Sequence, residues 1–158
     1  MAERSIERGR YFEDFEVGAV YEHHWGRTIT EGESVTFAAD MLNFNPLYFN
    51  REYAKAHGHP DVVVCPWYVI MLTLGLSVED ASEKSTGLLG YGNAKFLKHV
   101  YAGDTLTAKS KVLEIRDTKS KPDQGIVKTA LEATNQRGEV VLTFERTNLI
   151  KRRPAVAA

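Results

Sequence analysis

The stretch Asn43–Tyr48, which reads Asn-Phe-Asn-Pro-Leu-Tyr, places three polar side chains around one proline. The amide of Asn43 can orient a water molecule, but it cannot take up a proton. The phenol of Tyr48 has a reference pKa of about 10, so at neutral pH it is a poor base and a usable acid or hydrogen-bond donor. Because Pro46 restricts the backbone nearby, we expect the phenol to be held in one position. The stretch therefore predicts a site that orients water and donates protons or hydrogen bonds.

Each residue singled out for chemistry can also be explained by a purely structural role. Asparagine tolerates left-handed backbone geometry, so Asn43 equally suits the C-terminal cap of a helix, and Tyr48 would otherwise simply fill space. Cys65 is a candidate nucleophile because a helix N-terminus stabilises a thiolate, but a lone cysteine beside valines is more typical of packing. His57 and His59 have no third ligand nearby in sequence, so we predict no metal site.

Composition limits the classes of protein to consider. A chain of 158 residues suits one domain with one core, and its 43% hydrophobic and 26% charged residues are typical of a globular protein. A net charge of −1 argues against nucleic-acid binding, which needs a basic surface. The single cysteine excludes an internal disulfide and fits a reducing compartment.

The ends of the chain and its apolar segments indicate where the protein is found. Residues 1–10 are polar and charged without an apolar segment, which is unlike a secretory signal. The longest apolar run, Val62–Leu76, is interrupted by Pro66 and is shorter than the roughly 20 residues that a bilayer span needs. We therefore expect a cytoplasmic protein with no membrane and no nucleic-acid partner. We expect residues 1–10 to be a flexible N-terminus, 11–151 to form the single domain, and 152–158 to be a tail.

Capping signals divide the first half of the chain into helices. Thr30 and Glu33 match a capping box, which predicts a helix over Ser34–Leu42 whose inner side includes its last two residues. The proline that follows ends this helix, because the residue before a proline is pushed out of helical geometry. Asn50 is placed to cap a short helix over Arg51–His57.

The second half predicts an antiparallel sheet around a buried helix. Trp67–Leu76 is apolar on every side, which is typical of a buried helix. The adjacent Val112 and Leu113 break the alternation of one strand and indicate a bulge. Turn residues and short loops favour an antiparallel meander of four strands. These predicted strands are Leu88–Val100, Leu106–Ile115, Ile126–Asn135 and Val140–Ile150. The predicted fold class is α+β, an antiparallel β-sheet wrapped around a central buried α-helix.

Five short patterns follow one another over nearly the whole chain. They are Tyr11–Gly18, Arg27–Glu31, Asn45–Leu47 with Glu52–Ala54, Lys98–Leu106 and Asn135–Glu139. Together they resemble the MaoC-like branch of the hot-dog proteins. The resemblance implies a hot-dog fold and a homodimer or assembly of dimers, with acyl-CoA bound between subunits. It also implies addition of water to a trans-2-enoyl thioester, or the reverse dehydration, with no metal and no cofactor beyond the coenzyme A of the substrate.

The stretch Asn43–Tyr48 resembles the hydratase signature of that family, in which an Asp, any residue, Asn-Pro, an aliphatic residue and a His stand in order. Asn43 occupies the Asp position and Tyr48 the His position. Counted without gaps, the glycine whose N–H binds the thioester oxygen falls on Pro66, which has no N–H. The Trp67 amide would substitute if the register slips by one. A branch similar to mesaconyl-CoA and itaconyl-CoA hydratases often carries Asn at the first position and keeps the His.

The resemblance and the residues together predict a site around the start of the buried helix. The expected catalytic residues are Asn43 and Tyr48. The expected substrate-binding residues are Asn45, Cys65, Pro66 and Trp67. The predicted activity is that of a hydratase/dehydratase (a lyase) on an acyl-CoA, with a branched dicarboxylyl group as the candidate. Two alternatives stay open: an acyl-CoA thioesterase, for which Asp61 is the nearest carboxylate, and a catalytically impaired acyl-CoA-binding protein.

Overall fold

The computed structural model describes residues 7–154, in which a five-stranded antiparallel sheet packs against a central helix. The helices are α1 (Glu31–Asp40), α2 (Arg51–Ala56), α3 (Pro66–Leu76) and α4 (Val78–Ala81). The strands are β1 (Val20–Thr28), β2 (Ser85–Phe96), β3 (Thr105–Asp117), β4 (Gln124–Asn135) and β5 (Val140–Lys151). Their order in the sheet is β1-β3-β4-β5-β2. The predicted α+β class and the wrapping of the sheet around a central helix are confirmed.

Helix α3 supplies the centre of the core. Ile70 and Leu72 of α3 belong to one buried cluster with Leu142 of β5, and burying each such side chain contributes about 1.5–3 kcal/mol. The prediction that α3 is buried on every side is wrong for one stripe of the helix. Trp67 is 60% exposed and Met71 is 43% exposed, because the sheet of a single chain covers only the other side of α3.

The start of α1 is capped as the sequence predicts. The Thr30 hydroxyl accepts from the Glu33 N–H, and the Glu33 carboxylate accepts from the Thr30 N–H at 2.9 Å. These two bonds form the predicted capping box and satisfy two backbone donors at the helix start. The prediction for α2 is confirmed in the same way, since the Asn50 side chain accepts from the Tyr53 N–H at 3.0 Å.

The end of α1 differs from the prediction. The N–H of Leu42 donates to the carbonyl of Ala39 at 2.9 Å, and the N–H of Asn43 donates to the carbonyl of Ala38 at 2.8 Å. These bonds form a Schellman motif, in which Leu42 takes the left-handed position with a φ of 54°. Met41 and Leu42 were expected on the inner side of the helix. They are exposed instead, because the chain leaves the helix before their positions turn toward the core.

The strand order departs from the predicted four-strand meander. Strands β3, β4 and β5 pair in sequence order, but β2 pairs with β5 at the edge of the sheet. Residues 97–104 do not close a hairpin, because Leu97 donates to the carbonyl of Val141 and Val64 donates to that of Val100, both at 2.8 Å. These bonds carry the chain past the start of α3 before β3 begins.

The bulge predicted in the third strand is confirmed. The register of β3 against β4 shifts between Val112 and Glu114. Val112 is fully buried and Glu114 is not, so the extra residue restores the alternation between the core face and the solvent face.

Both ends of the described chain are joined by ion pairs. Arg152 lies 3.2 Å from Glu13, and Arg153 lies 2.7 Å from Asp14. The flexible N-terminus expected over residues 1–10 and the tail expected over 152–158 lie partly outside the described residues. Within residues 7–154, none of the helices has the length and apolar character that a bilayer crossing requires.

Candidate active site

The loop between α1 and α2 positions the predicted catalytic residues. The Schellman motif fixes the backbone of Asn43, and a 3-10 turn over Pro46–Tyr48 follows it. The Asn45 side chain accepts from the Leu47 N–H at 3.1 Å, so this amide oxygen caps the turn. The N–H of Tyr48 donates to the Asn45 carbonyl at 3.0 Å. The loop is therefore held by its own hydrogen bonds on both sides of the proline.

The structure brings Asn43 and Tyr48 to the start of α3. The amide nitrogen of Asn43 donates to Cys65 Sγ at 3.6 Å. Burial raises the pKa of the Tyr48 phenol, and the nearby Cys65 raises it further. Tyr48 therefore keeps its proton at neutral pH and can act as a donor, while Asn43 can act only through its amide.

Cys65 is a packed residue and not an exposed nucleophile. It is fully buried, and its N–H donates to the hydroxyl of Ser34 at 3.4 Å. Its sulfur accepts the hydrogen bond from Asn43, which links the loop to the helix. This arrangement favours the packing interpretation over a thiolate that attacks substrate.

The first turn of α3 offers one backbone donor. Pro66 is its first residue and has no N–H, and the N–H of Tyr68 donates to the Cys65 carbonyl at 2.9 Å. No acceptor within residues 7–154 takes the Trp67 N–H. Because helix N-termini favour negative charge, the Trp67 N–H is placed to donate to an oxygen that carries negative charge. The Trp67 indole itself is mostly exposed.

A cavity of about 100 Å³ lies beside the helix start. Its lining residues come from the segment before α3, from α3 itself, from the segment that links β2 to β3, and from β5. They are Val63, Val64, Pro66, Val69, Phe96, Lys98, His99, Val100 and Val141. The walls are mostly apolar, and Lys98 and His99 are the polar members.

Sequence reasoning did not place His99 near the site. Its segment resembles a strand–turn–strand pattern, and the hydrogen bond between Val64 and Val100 and the bridge between Val63 and Tyr101 bring it against the start of α3. The rings of His99 and His59 meet edge to face with centroids 4.8 Å apart. His59 Nδ1 lies 3.0 Å from the Tyr101 hydroxyl. Two imidazoles and one phenol therefore form a cluster at the cavity.

The other titratable side chains considered for the site, Asp61 and His57, already have hydrogen-bond partners within the protein. A hydrogen bond from Arg51, at 2.6 Å, lowers the pKa of Asp61 together with a bond from the Val62 N–H. His57 Nδ1 lies 2.8 Å from the Tyr53 carbonyl of its own helix. Within residues 7–154, no group of three His, Cys, Asp or Glu side chains is arranged to hold a metal ion.

An antiparallel sheet around one apolar helix, with a polar loop over the helix start, defines a hot-dog protein. A solved protein from Mycobacterium tuberculosis, described as having a double hot-dog fold, supports the fold alone. It matches with a TM-score of 0.80 over 95% of this chain and 46% of its own, at 24% identity. The family model for mesaconyl-CoA hydratase matches residues 2–158, and the chain belongs to that family. The MaoC-like resemblance is thereby confirmed.

Two further relatives agree with this assignment. The mesaconyl-CoA hydratase of Haloarcula hispanica is 32% identical over 152 residues, which cover 96% of this chain and 42% of its own. A solved MaoC domain protein from Chloroflexus aurantiacus is 30% identical with a TM-score of 0.89, over 99% of this chain and 44% of its own. The chain thus spans less than half the length of these relatives.

Proposed function

We propose that this protein adds water to the C2=C3 bond of an enoyl-CoA, or removes it in reverse, with a branched dicarboxylyl thioester as substrate. The observation that carries the proposal is the meeting of Asn43, Tyr48 and the free Trp67 N–H at the start of α3, beside the apolar cavity. The names of the relatives support the choice of reaction and acyl group.

Each residue has a role that its chemistry allows. The Asn43 amide orients the water, and the Tyr48 phenol donates a hydrogen bond or proton. The Trp67 N–H receives the charge that gathers on the thioester oxygen. Asn45, Cys65 and Pro66 shape the site around these groups. We propose no metal and no organic cofactor beyond the coenzyme A of the substrate.

We also propose that the protein acts in the cytoplasm as a homodimer or an assembly of dimers. Trp67 and Met71 on α3 are exposed, as are Leu88, Tyr91 and Phe96 on the edge strand β2. A monomer rarely leaves so much apolar surface in water. A two-fold dimer would bury the same surface of both copies. Met71→Asp is expected to shift the mass measured by light scattering toward the monomer, whereas Val17→Asp, at an exposed valine of the N-terminal loop, is not.

A panel of crotonyl-, mesaconyl- and itaconyl-CoA tests the reaction. Hydration removes the enoyl absorbance without releasing a thiol, and we expect it to be fastest with a dicarboxylyl substrate. Release of free coenzyme A would instead identify a thioesterase. Tight binding without turnover would identify an acyl-CoA-binding protein. The acyl-CoA-binding protein is the alternative that Asn43 and Tyr48 favour, because neither an amide nor a phenol is a strong base at neutral pH.

A further inference from the structure

The proposed hydration needs a group that takes a proton from water at neutral pH. The Asn43 amide has no basic form, and the Tyr48 phenol stays protonated because it is partly buried. Losing a general acid or base typically lowers a rate by about 10²–10⁴-fold. The proposed function is therefore incomplete unless another side chain at the helix start carries the proton.

We propose that His99 is this proton-transferring residue. The inference rests on the proposed function and names a residue outside the hydratase signature. His99 lines the same cavity as Pro66 at the start of α3 and is exposed enough to meet substrate and water. Imidazole is the side chain that accepts and returns protons most readily near neutral pH.

The surroundings of His99 hold the ring in place. The next residue, Val100, is buried and accepts a hydrogen bond from the Val64 N–H at 2.8 Å, which fixes the backbone against α3. The His59 ring meets the His99 ring edge to face, and His59 is itself held by the Tyr101 hydroxyl at 3.0 Å. His59 and Tyr101 are thus positioning residues for His99.

No other described side chain that lines the cavity can take up this proton. Among the residues that the structure describes, no Asp or Glu lines the cavity. Lys98 lines it, but its ammonium group is ion-paired with the Glu139 carboxylate at 3.9 Å. A charged ammonium cannot accept a proton, so His99 is the one basic group left among the described lining residues.

The reaction balances with this single residue. A ring nitrogen of His99 takes a proton from water while the water oxygen forms a bond to C3. The electrons of the C2=C3 double bond move toward the thioester oxygen, where the Trp67 N–H lies. The protonated imidazole then returns the proton to C2 and the thioester C=O is restored. One water has been added, and His99 ends in its starting state.

The test compares His99→Ala and His99→Gln with the wild type on the best substrate of the enoyl-CoA panel. We expect kcat to fall by about 10²–10⁴-fold in both variants, with KM changing by only a few-fold. Added imidazole should restore part of kcat in His99→Ala, where it can enter the vacated space, and not in His99→Gln. The matched control is His57→Gln, because His57 bonds only to its own helix, and we expect kcat to be unchanged.

The outcomes separate this inference from the proposed function. Wild-type kcat in both His99 variants would overturn the role of His99 and leave hydration intact. An equal loss of kcat and substrate affinity without imidazole rescue would show a structural role, which also overturns it. A wild type that hydrates no enoyl-CoA would overturn the proposed function and, with it, this inference.

Discussion

The Asn43 amide donates to the Cys65 sulfur at 3.6 Å, which joins the loop ahead of the 3-10 turn to the start of α3. An asparagine in this place orients its neighbours without changing charge. A carboxylate at the same position could take up a proton, and an imidazole at the Tyr48 position could do so near neutral pH. Replacing Asn43 by Asp and Tyr48 by His would therefore give the site two side chains that can take up a proton.

We expect Asn43→Asp with Tyr48→His to raise kcat for hydration by about 10–100-fold, because it supplies the missing acid/base pair. The measurement is the initial rate of hydration, with thermal unfolding to verify the fold. In this background His99→Gln should lower kcat much less than it does in the wild type. If the double variant abolishes hydration, Asn43 and Tyr48 have a chemistry of their own that the pair cannot replace.

The donor at the helix start is tested by two changes at one residue. Trp67→Pro removes the free N–H while keeping a residue that suits the first helical turn, whereas Trp67→Ala removes the exposed indole and keeps the N–H. We expect the proline variant to lose about 10²–10³-fold in kcat, as for the loss of an oxyanion donor. The alanine variant should retain kcat. Equal kcat values for the two variants, with circular dichroism unchanged, would exclude the Trp67 N–H as the donor.

Local signals in the sequence predicted most elements of the fold. The capping box of Thr30 and Glu33 and the apolar run of α3 depend on residues close in sequence, and both are found. The left-handed Leu42 was missed, because a leucine carries no signal for a conformation that normally favours glycine. The edge position of β2 was missed because strand pairing depends on distant contacts that a single sequence does not display.

The candidate site likewise has one part that the sequence predicts and another part that the sequence does not. Asn43, Tyr48 and Cys65 were expected together on the strength of the family signature, and the structure brings them together, although their roles stay predictions. His99 lies far from this loop in sequence, and its place is decided by the pairing of Val64 with Val100. No spacing rule connects these segments, so only the folded chain could reveal the histidine.

Asp104 provides a pH-dependent part of the stability. Burial alone would raise the pKa of this carboxyl group, but hydrogen bonds from Gln136, the Tyr101 N–H and Arg137, at 2.7–3.0 Å, lower it below the ordinary value. A lowered pKa stabilises the fold above the unfolded value of about 3.9, and this contribution is lost as the pH falls through the folded pKa.

Asp104→Asn should therefore lower the free energy of unfolding by about 1–3 kcal/mol at pH 7, because it removes charged hydrogen bonds from a buried group. As the pH falls below about 4 the difference between the variant and the wild type should shrink, and it should vanish only below the lowered folded pKa of Asp104, which urea unfolding across a pH series would measure. The control is Glu52→Gln, since that carboxylate is 87% exposed and should change little. A constant difference across all pH values would contradict the linkage to Asp104.

Arg146 lies on the core face of β5 and is 4% exposed. Its Nη1 lies 3.3 Å from the Ser82 hydroxyl, but its Nε and Nη2 have no hydrogen-bond partner within residues 7–154. Burial lowers the pKa of Arg146 to about 10, well below the ordinary value of a guanidinium in water. At neutral pH the guanidinium is charged in both the folded and unfolded states. The lowered pKa therefore corresponds to a free energy of unfolding that is smaller by about 3 kcal/mol.

We expect Arg146→Met to raise the free energy of unfolding by about 1–3 kcal/mol, because an apolar side chain of similar length removes an unpaired buried charge. Chemical denaturation at pH 7 measures the change. The same substitution at Arg116, whose side chain is 57% exposed, should stay within about 0.5 kcal/mol and serves as the control. A loss of stability in Arg146→Met would mean that the guanidinium has a counterion in the assembled protein. Because Tyr91, opposite Arg146 on the edge strand, is half exposed, a second subunit packed against β2 is where that counterion should then be sought.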